Sequence, residues 1–415
     1  MKSSFVLQKG SRAALTVTLD PADIKPHFDR VRARAIASVD LKGFRPGTAP
    51  AHLAEAALDQ RKIIEGAVEE SIRVTLASII EERNWVALDR PTIEITSTDK
   101  PALDAGLTYV AMLSLFPEIK LPDYKKIAKK ILAEQRELSV SDVDIEQSLL
   151  WLRKSRAPQI AVTRPVAAGD LVEVAIRTST DGRSLSGGDI PEDRFEFGAG
   201  RFVPGFEKNL EGHKAGDEVS FSLVAPADYW QADLRNKTLE FRVRIKNVFE
   251  LQLSPADDAF ATSLGPTLKT LADVQKNIRE GLMAEKQSKE TERKRVAMIT
   301  EIANGATIDV PETLIERTLD QMMEEFKATI QGSGVAPEKA RQNLRPAATK
   351  RVLAHLVIAE MAKLEELEPT KEEVEAESKH HQSETRGLDA SQFYDYIYGV
   401  LLNKKIFAFL EQQSK

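Results

Sequence analysis

The hydrophobic period of this chain changes along its length, and each change limits what the chain can fold into. From Thr163 to Glu250 apolar residues alternate: Val172, Val174 and Ile176, then Phe221 and Leu223, then Phe241, Val243 and Ile245. That is the two-residue period of half-buried strands. Asp181-Gly182 signals a tight hairpin, and Phe195, Phe197, Phe202 and Phe206 crowd the same block. From Leu251 onward the period is helical. Leu271, Val274, Ile278 and Leu282 recur with dense charge between them, and Ile315, Leu319, Met322, Met323, Phe326 and Ile330 form one stripe. At 415 residues the chain is long enough for about three domains.

The opening block, residues 1–118, reads as an α+β module. Leu15, Val17 and Leu19 alternate as a strand; Pro21 to Ser38, Ala49 to Leu58 and Lys62 to Arg83 read as helices. Ile93 and Ile95, then Leu107, Tyr109, Ala111, Leu113 and Leu115, supply two further strands. Helices on one face of a small antiparallel sheet follow from that order. Residues 119–162 read as a connector, in which Tyr124 to Arg136 is lysine-rich and strand-like or irregular. Ser141, Asp142 and Asp144 then open a helix to about Arg156. The expected fold class is α+β and multidomain: the first module, the connector, an antiparallel β domain over 163–250, and all-α arms over 251–415. In the arms Gln331 to Pro337 reads as a flexible joint, Thr370 with Glu373 as a capping box, and Phe393 to Glu411 as a terminal helix that packs back.

Composition excludes several chemistries. There is no cysteine, so disulfides, thiolate nucleophiles and zinc-thiolate sites are out. His213 stands on a polar turn without a partner at ligand spacing, and His380-His381 point apart on a helix, so no metal is expected. Gly198-Ala199-Gly200 lacks the following helix of a phosphate cradle, and no cofactor is expected either. Met1 to Gly10 has no apolar leader core, and no apolar run is long enough to span a bilayer. A cytoplasmic chain without membrane contact is the expectation.

Gly43, Phe44, Arg45, Pro46 and Gly47, with Pro50 three residues on, form a stiffened turn from which Phe44 and Arg45 project. Residues 1–47 hold nine Lys and Arg against four Asp and Glu, a local +5 in a chain of net −6. Arg30 and Arg34 share a helix face. The excess points to an anionic partner, RNA being the commonest large one. A glycine-rich hairpin turn beside a solvated basic helix accounts for the same residues.

Gly-Phe-Arg-x-Gly-x-x-Pro, from Gly43 to Pro50, resembles the signature of the bacterial trigger factor family, ribosome-bound chaperones that meet nascent chains at the tunnel exit. The resemblance covers nearly the whole chain. It implies docking on the large ribosomal subunit, protein and RNA, through Phe44 and Arg45; Pro46 stands where relatives often carry a lysine. Phe195-x-Phe197-Gly198, then Gly200-Arg201-Phe202-Val203-Pro204-Gly205-Phe206-Glu207, then Gly212-His213-Lys214-Ala215-Gly216-Asp217, resembles the FK506-binding type of peptidyl-prolyl isomerase. By that resemblance Phe195, Phe197, Phe202, Val203, Phe206 and Phe241 make floor and walls, and Tyr229 is the flap tyrosine that hydrogen-bonds substrate. Such a pocket needs no nucleophile. Amide resonance opposes rotation about X-Pro by roughly 18–20 kcal/mol, and a dry aromatic hollow favours the twisted, less polar amide.

Departures from the pattern are Ile176 for an aromatic wall, Arg177-Thr178 for a Thr-Gly pair, and Leu185-Ser186 for an aromatic-acidic pair. Isomerase activity is expected, with weakened turnover left open. The helical half is implied to cradle nascent and unfolded polypeptides through Met322, Met323 and Phe326, adaptable contacts; plain helix packing explains the same stripe. DNA is not an expected partner, and a weak homodimer off the ribosome stays open. Two rivals remain: a free isomerase whose flanks recruit substrate, and an RNA-binding protein acting through Arg30, Arg32 and Arg34.

Overall fold

A computed structural model describes residues 1–41, 44, 50–96, 106–229, 231, 234–327, 329, 336–381 and 389–414. Two compact units emerge, one of Met1–Glu134 with most of the chain from Lys294 on, the other of Gln135–Arg293. The first unit opens with β1 (Lys2–Gln8), β2 (Arg12–Leu19), α1 (Pro21–Ser38), α2 (Ala51–Ala56), α3 (Gln60–Glu82), β3 (Thr92–Ile95) and β4 (Leu107–Ser114). Its sheet runs β1-β2-β4-β3, every pair antiparallel. Alternation in β2 sends Ala13, Leu15, Val17 and Leu19 into the core, where they meet Leu107, Tyr109, Ala111 and Leu113 of β4 and Val68, Ile72, Leu76 and Ile79 of α3. Tyr109 is fully buried, and its hydroxyl is satisfied by Thr75 Oγ1 at 2.8 Å. β1 escaped the pattern because Phe5, Val6 and Leu7 run together without alternation.

After β5 (Ile119–Lys120) the segment expected to be strand-like or irregular is helical, α4 (Tyr124–Ala133). Asp123 caps it by accepting the Lys126 amide, and Ala128 and Ile131 are buried while lysines take the outer side. Tyr124, Ile127, Ala128 and Ile131 fall at helical spacing; the lysine density concealed it.

The second unit begins with α5 (Asp142–Arg156), closed by a reciprocal cap between Ser141 and Asp144. Its five-stranded antiparallel sheet consists of β6 (Gln159–Ala161), β7 (Leu171–Thr180), β8 (Arg183–Glu196), β9 (Glu218–Val224) and β10 (Thr238–Leu251). β10 pairs with β7 along one side and with β9 and then β6 along the other. Thr180 pairs with Arg183, leaving Asp181 and Gly182, both at positive φ (51° and 71°), as the tight hairpin turn. α6 (Asp258–Leu264) and the start of α7 (Leu271–Gly305) pack Phe260, Ala261 and Val274 on Leu149 of α5. Residues 251–293 make their contacts within this unit.

The rest of α7 returns to the first unit, followed by β11 (Thr307–Ile308), α8 (Glu312–Glu325), α9 (Pro337–Leu364), α10 (Lys371–His381) and α11 (Ala390–Glu411). Met298 and Ile302 of α7, Val357 and Met361 of α9, Ile406 and Leu410 of α11 and Ala128 and Ile131 of α4 share one core. The capping box at Thr370 and Glu373 forms as expected, and the terminal helix packs back. β11 pairs with β5. Beside it the Asp309 carboxylate accepts the amides of Gly10 and Ser11 at 2.9 and 2.8 Å, bonds that hold it below the usual carboxylate range. No described helix is long and apolar enough to cross a membrane.

Candidate functional site

The aromatic block builds a hollow of about 590 Å³ on the β7–β8–β10 sheet. Phe206, wholly buried, is its floor: it stacks on Phe202 at 4.3 Å and meets Phe241 edge-on at 5.2 Å. Val203, Phe241 and Tyr229 also line it, as does Ile176. Phe195 and Phe197, expected as walls, are not among the lining residues. Phe195 instead supports Phe202 from behind, ring edge to face at 4.8 Å, and both are core residues. Phe195, at the end of β8, and Phe197, just past it, are both buried in the core of the sheet.

A bulge shapes the rim. Between the pairs Arg177–Asp189 and Ser179–Ser184 the register shifts, leaving Leu185 to Gly188 opposite Thr178. Gly188 allows the strands to touch, since a Cβ there would stand 2.9 Å from the Thr178 carbonyl oxygen. Leu185 lines the hollow, the side given by the resemblance to an aromatic residue.

Asp228, Gln231, Arg201 and Leu239 line it too and were not anticipated. Leu239 had a signal, two residues before Phe241 on one strand face; Asp228 had only its place beside Tyr229. Arg201 lies 5.7 Å from the Phe202 ring centre and bonds Asp193 at 3.2 Å. The flap is tied through the Tyr229 carbonyl, which accepts Arg235 Nε at 2.8 Å.

The loop of Gly198 to Arg201 donates its amides of Gly198 and Arg201 to Glu207 at 2.7 and 3.0 Å. An internal carboxylate thus fills the place an anionic ligand would take. His213 meets Asp217 at 3.5 Å, and the described residues hold no cluster able to bind a metal.

In the first unit the Phe44 side chain is 41% exposed, its amide bonded to Leu41, and Pro50 caps α2. Gly43, Arg45, Pro46 and Gly47 lie outside the described residues. The arginine run behind the loop is already paired. Glu70 of α3, 7% exposed, takes Arg30 at 3.1 Å and Arg34 at 2.9 Å; Arg32 meets Glu55 at 3.0 Å. Burial and the Arg30 charge push the adjacent His27 below its ordinary value. Three arginines expected to face an RNA are therefore each held by one of two internal carboxylates, which offsets part of their charge.

Of the proposed client contacts, Met322 is buried against α9 with Ile315 and Leu319. Met323 is half-buried and Phe326 exposed. The stripe is chiefly a helix–helix seam.

An aromatic, prolyl-isomerase-type hollow on one sheet, in a chain that also carries a second sheet and long helices, defines a multidomain folding factor. Comparison with known proteins agrees. Residues 162–246 match the FKBP-type peptidyl-prolyl cis-trans isomerase family, residues 1–150 match the bacterial trigger factor protein, and 270–410 match the C-terminus of that protein. The trigger factor of Halalkalibacterium halodurans is 29% identical over 389 residues, 91% of this chain and 89% of the relative. That of Caldicellulosiruptor saccharolyticus is 28% identical over 421 residues, 97% and 94%. A solved structure reported for promiscuous substrate recognition by the trigger factor chaperone has the same fold over 100% of both chains, at a TM-score of 0.51 and 18% identity. The chain belongs to the trigger factor family. It is a molecular chaperone with an FKBP-type isomerase domain, not a free isomerase.

Proposed function

We propose that this chaperone docks on the large ribosomal subunit through the loop from Gly43 to Pro50. In this reading Phe44 and Arg45 make the contact, and the helical half and the aromatic hollow receive emerging polypeptide. The observation that carries the docking is an exposed Phe44 on a segment whose neighbouring arginines are internally paired. What remains to bind is then the loop tip itself rather than a basic face. Residues 1–118 serve as the docking module, 119–162 as the connector, 163–250 as the isomerase and 251–415 as the client-handling region, with Phe326 and Met323 the accessible part of the stripe.

Prolyl isomerisation persists in the hollow despite Ile176 and Ser186. The closed Phe202–Phe206–Phe241 floor supplies the dry surface that favours a twisted amide, and Tyr229 supplies a donor at its mouth. Uncatalysed isomerisation takes about 10–100 s, whereas synthesis adds roughly 5–20 residues per second. A chaperone at the exit therefore meets prolines that have not equilibrated.

Co-sedimentation with large ribosomal subunits tests the docking. Phe44→Ala with Arg45→Ala should lose binding by about tenfold or more, whereas unchanged co-sedimentation would refute it. Tight binding to naked RNA that falls steeply with salt would favour the RNA-binding rival.

A further inference from the structure

β1 is the outer strand of its sheet, and among the described residues no other strand pairs with it. All seven of its residues are exposed, and it contains no proline. Such an edge is a row of N–H and C=O groups that another extended chain can satisfy.

The side chains of the strand point the same way. Phe5 pairs with Leu15 and Leu7 with Ala13, so both lie on the face whose β2 members are buried beneath the helices. Yet Phe5 is 39% exposed and Leu7 65%. Phe5 meets Trp85 edge-on at 5.2 Å. Leu7, Trp85, Val86 and Phe116 line a trough of about 550 Å³. The apolar face of the sheet thus runs one strand past its helical cover. A further strand on β1 would lay alternate side chains into this trough, and strand addition takes affinity from such an edge and selectivity from such pockets.

Charge selects the occupant. Lys2 and Lys9 bracket the strand, and the Arg83 guanidinium lies 4.4 Å from the Phe5 ring centre. Antiparallel pairing of two copies would bring Lys2 of one toward Lys9 of the other, a like-charge arrangement that opposes self-association. We propose that β1 and the trough beside it form a strand-addition site for an extended, unfolded polypeptide segment, apolar at alternate positions and acidic near its ends. This rests on the client-receiving role proposed above and adds a binding site outside the isomerase hollow and the helical stripe.

The test is hydrogen exchange on the full chain, with and without reduced, carboxymethylated α-lactalbumin as a permanently unfolded, acidic probe. Exchange across Lys2–Gln8 should slow by about tenfold. Leu7→Lys, at an exposed position, should abolish that slowing without lowering the melting temperature. Tyr229→Phe, in the isomerase hollow, should leave it intact. Protection by the probe elsewhere but not at Lys2–Gln8 would overturn this site while sparing the client role. No protection anywhere would overturn both. Slowing at Lys2–Gln8 that grows with protein concentration in the absence of probe would identify a second copy as the occupant, and would likewise overturn the proposal.

Discussion

Glu70 accepts two guanidinium groups while itself almost buried, and this decides what α1 can offer a partner. Replacing it by Gln should destabilise the protein by about 1–3 kcal/mol, since hydrogen bonds to a charged acceptor are lost, and should raise salt-sensitive binding to naked RNA. Urea unfolding and a salt titration read the two effects separately. In the hollow, Phe206→Ala should cost about 3–5 kcal/mol, because Phe206 touches Phe202, Phe221 and Phe241. Lost isomerase activity in that variant would therefore mix unfolding with chemistry. Tyr229→Phe separates them: proline-limited refolding should slow about five- to tenfold, one hydrogen bond's worth, with the urea midpoint lowered far less than by Phe206→Ala. At this scale the sequence exposed the aromatic members of the hollow, which are conspicuous in an aromatic-poor chain. It did not tell floor from support, because Phe195 on a strand and Phe202 in the following loop carry the same aromatic signal. Glu70 was invisible, since its partners lie 36 and 40 residues away and nothing local marks a carboxylate as buried.

Between α8 and α9 the stability is partly electrostatic. Arg341 bonds Glu316 and Asp320, and Arg345 bonds Glu312 and Glu316. Hydrogen bonds from Arg341 first and Arg345 second hold Glu316 down to about 2. A carboxylate depressed in the folded state adds stability above its unfolded value, near 4.5, and loses it as pH falls toward 2. Urea midpoints should therefore drop between about pH 4.5 and 2, and Glu316→Gln should flatten that window. The effect is modest because the side chain is 38% exposed and solvent screens it.

Elements with a clean period were legible: β2, β4, β7, β10 and the long helices. Where lysines masked an apolar stripe, as in α4, or apolar residues ran together at an exposed edge, as in β1, the period failed as a guide. Tertiary context had decided the outcome there.

On the scale of the whole molecule the sequence showed three blocks and two families of motif. It did not show that the chain's units cut across those blocks. That partition depends on contacts such as Asp309 to Gly10, 299 residues apart, for which no local pattern exists. Asp309→Ala should release the turn between β1 and β2, seen as faster amide exchange at Gly10 and Ser11 and a lowered urea midpoint. If neither changes, the clamp is incidental.

The same contact bears on how this chaperone is itself born. The segment from Gln135 to Arg293 is continuous and can assemble as soon as it is translated. The opening sheet closes its own core, but the Asp309 clamp on its first turn follows it by roughly 10–40 s at about 5–20 residues per second. For that interval the newborn protein is an exposed, half-finished polypeptide of the kind its mature siblings exist to shelter.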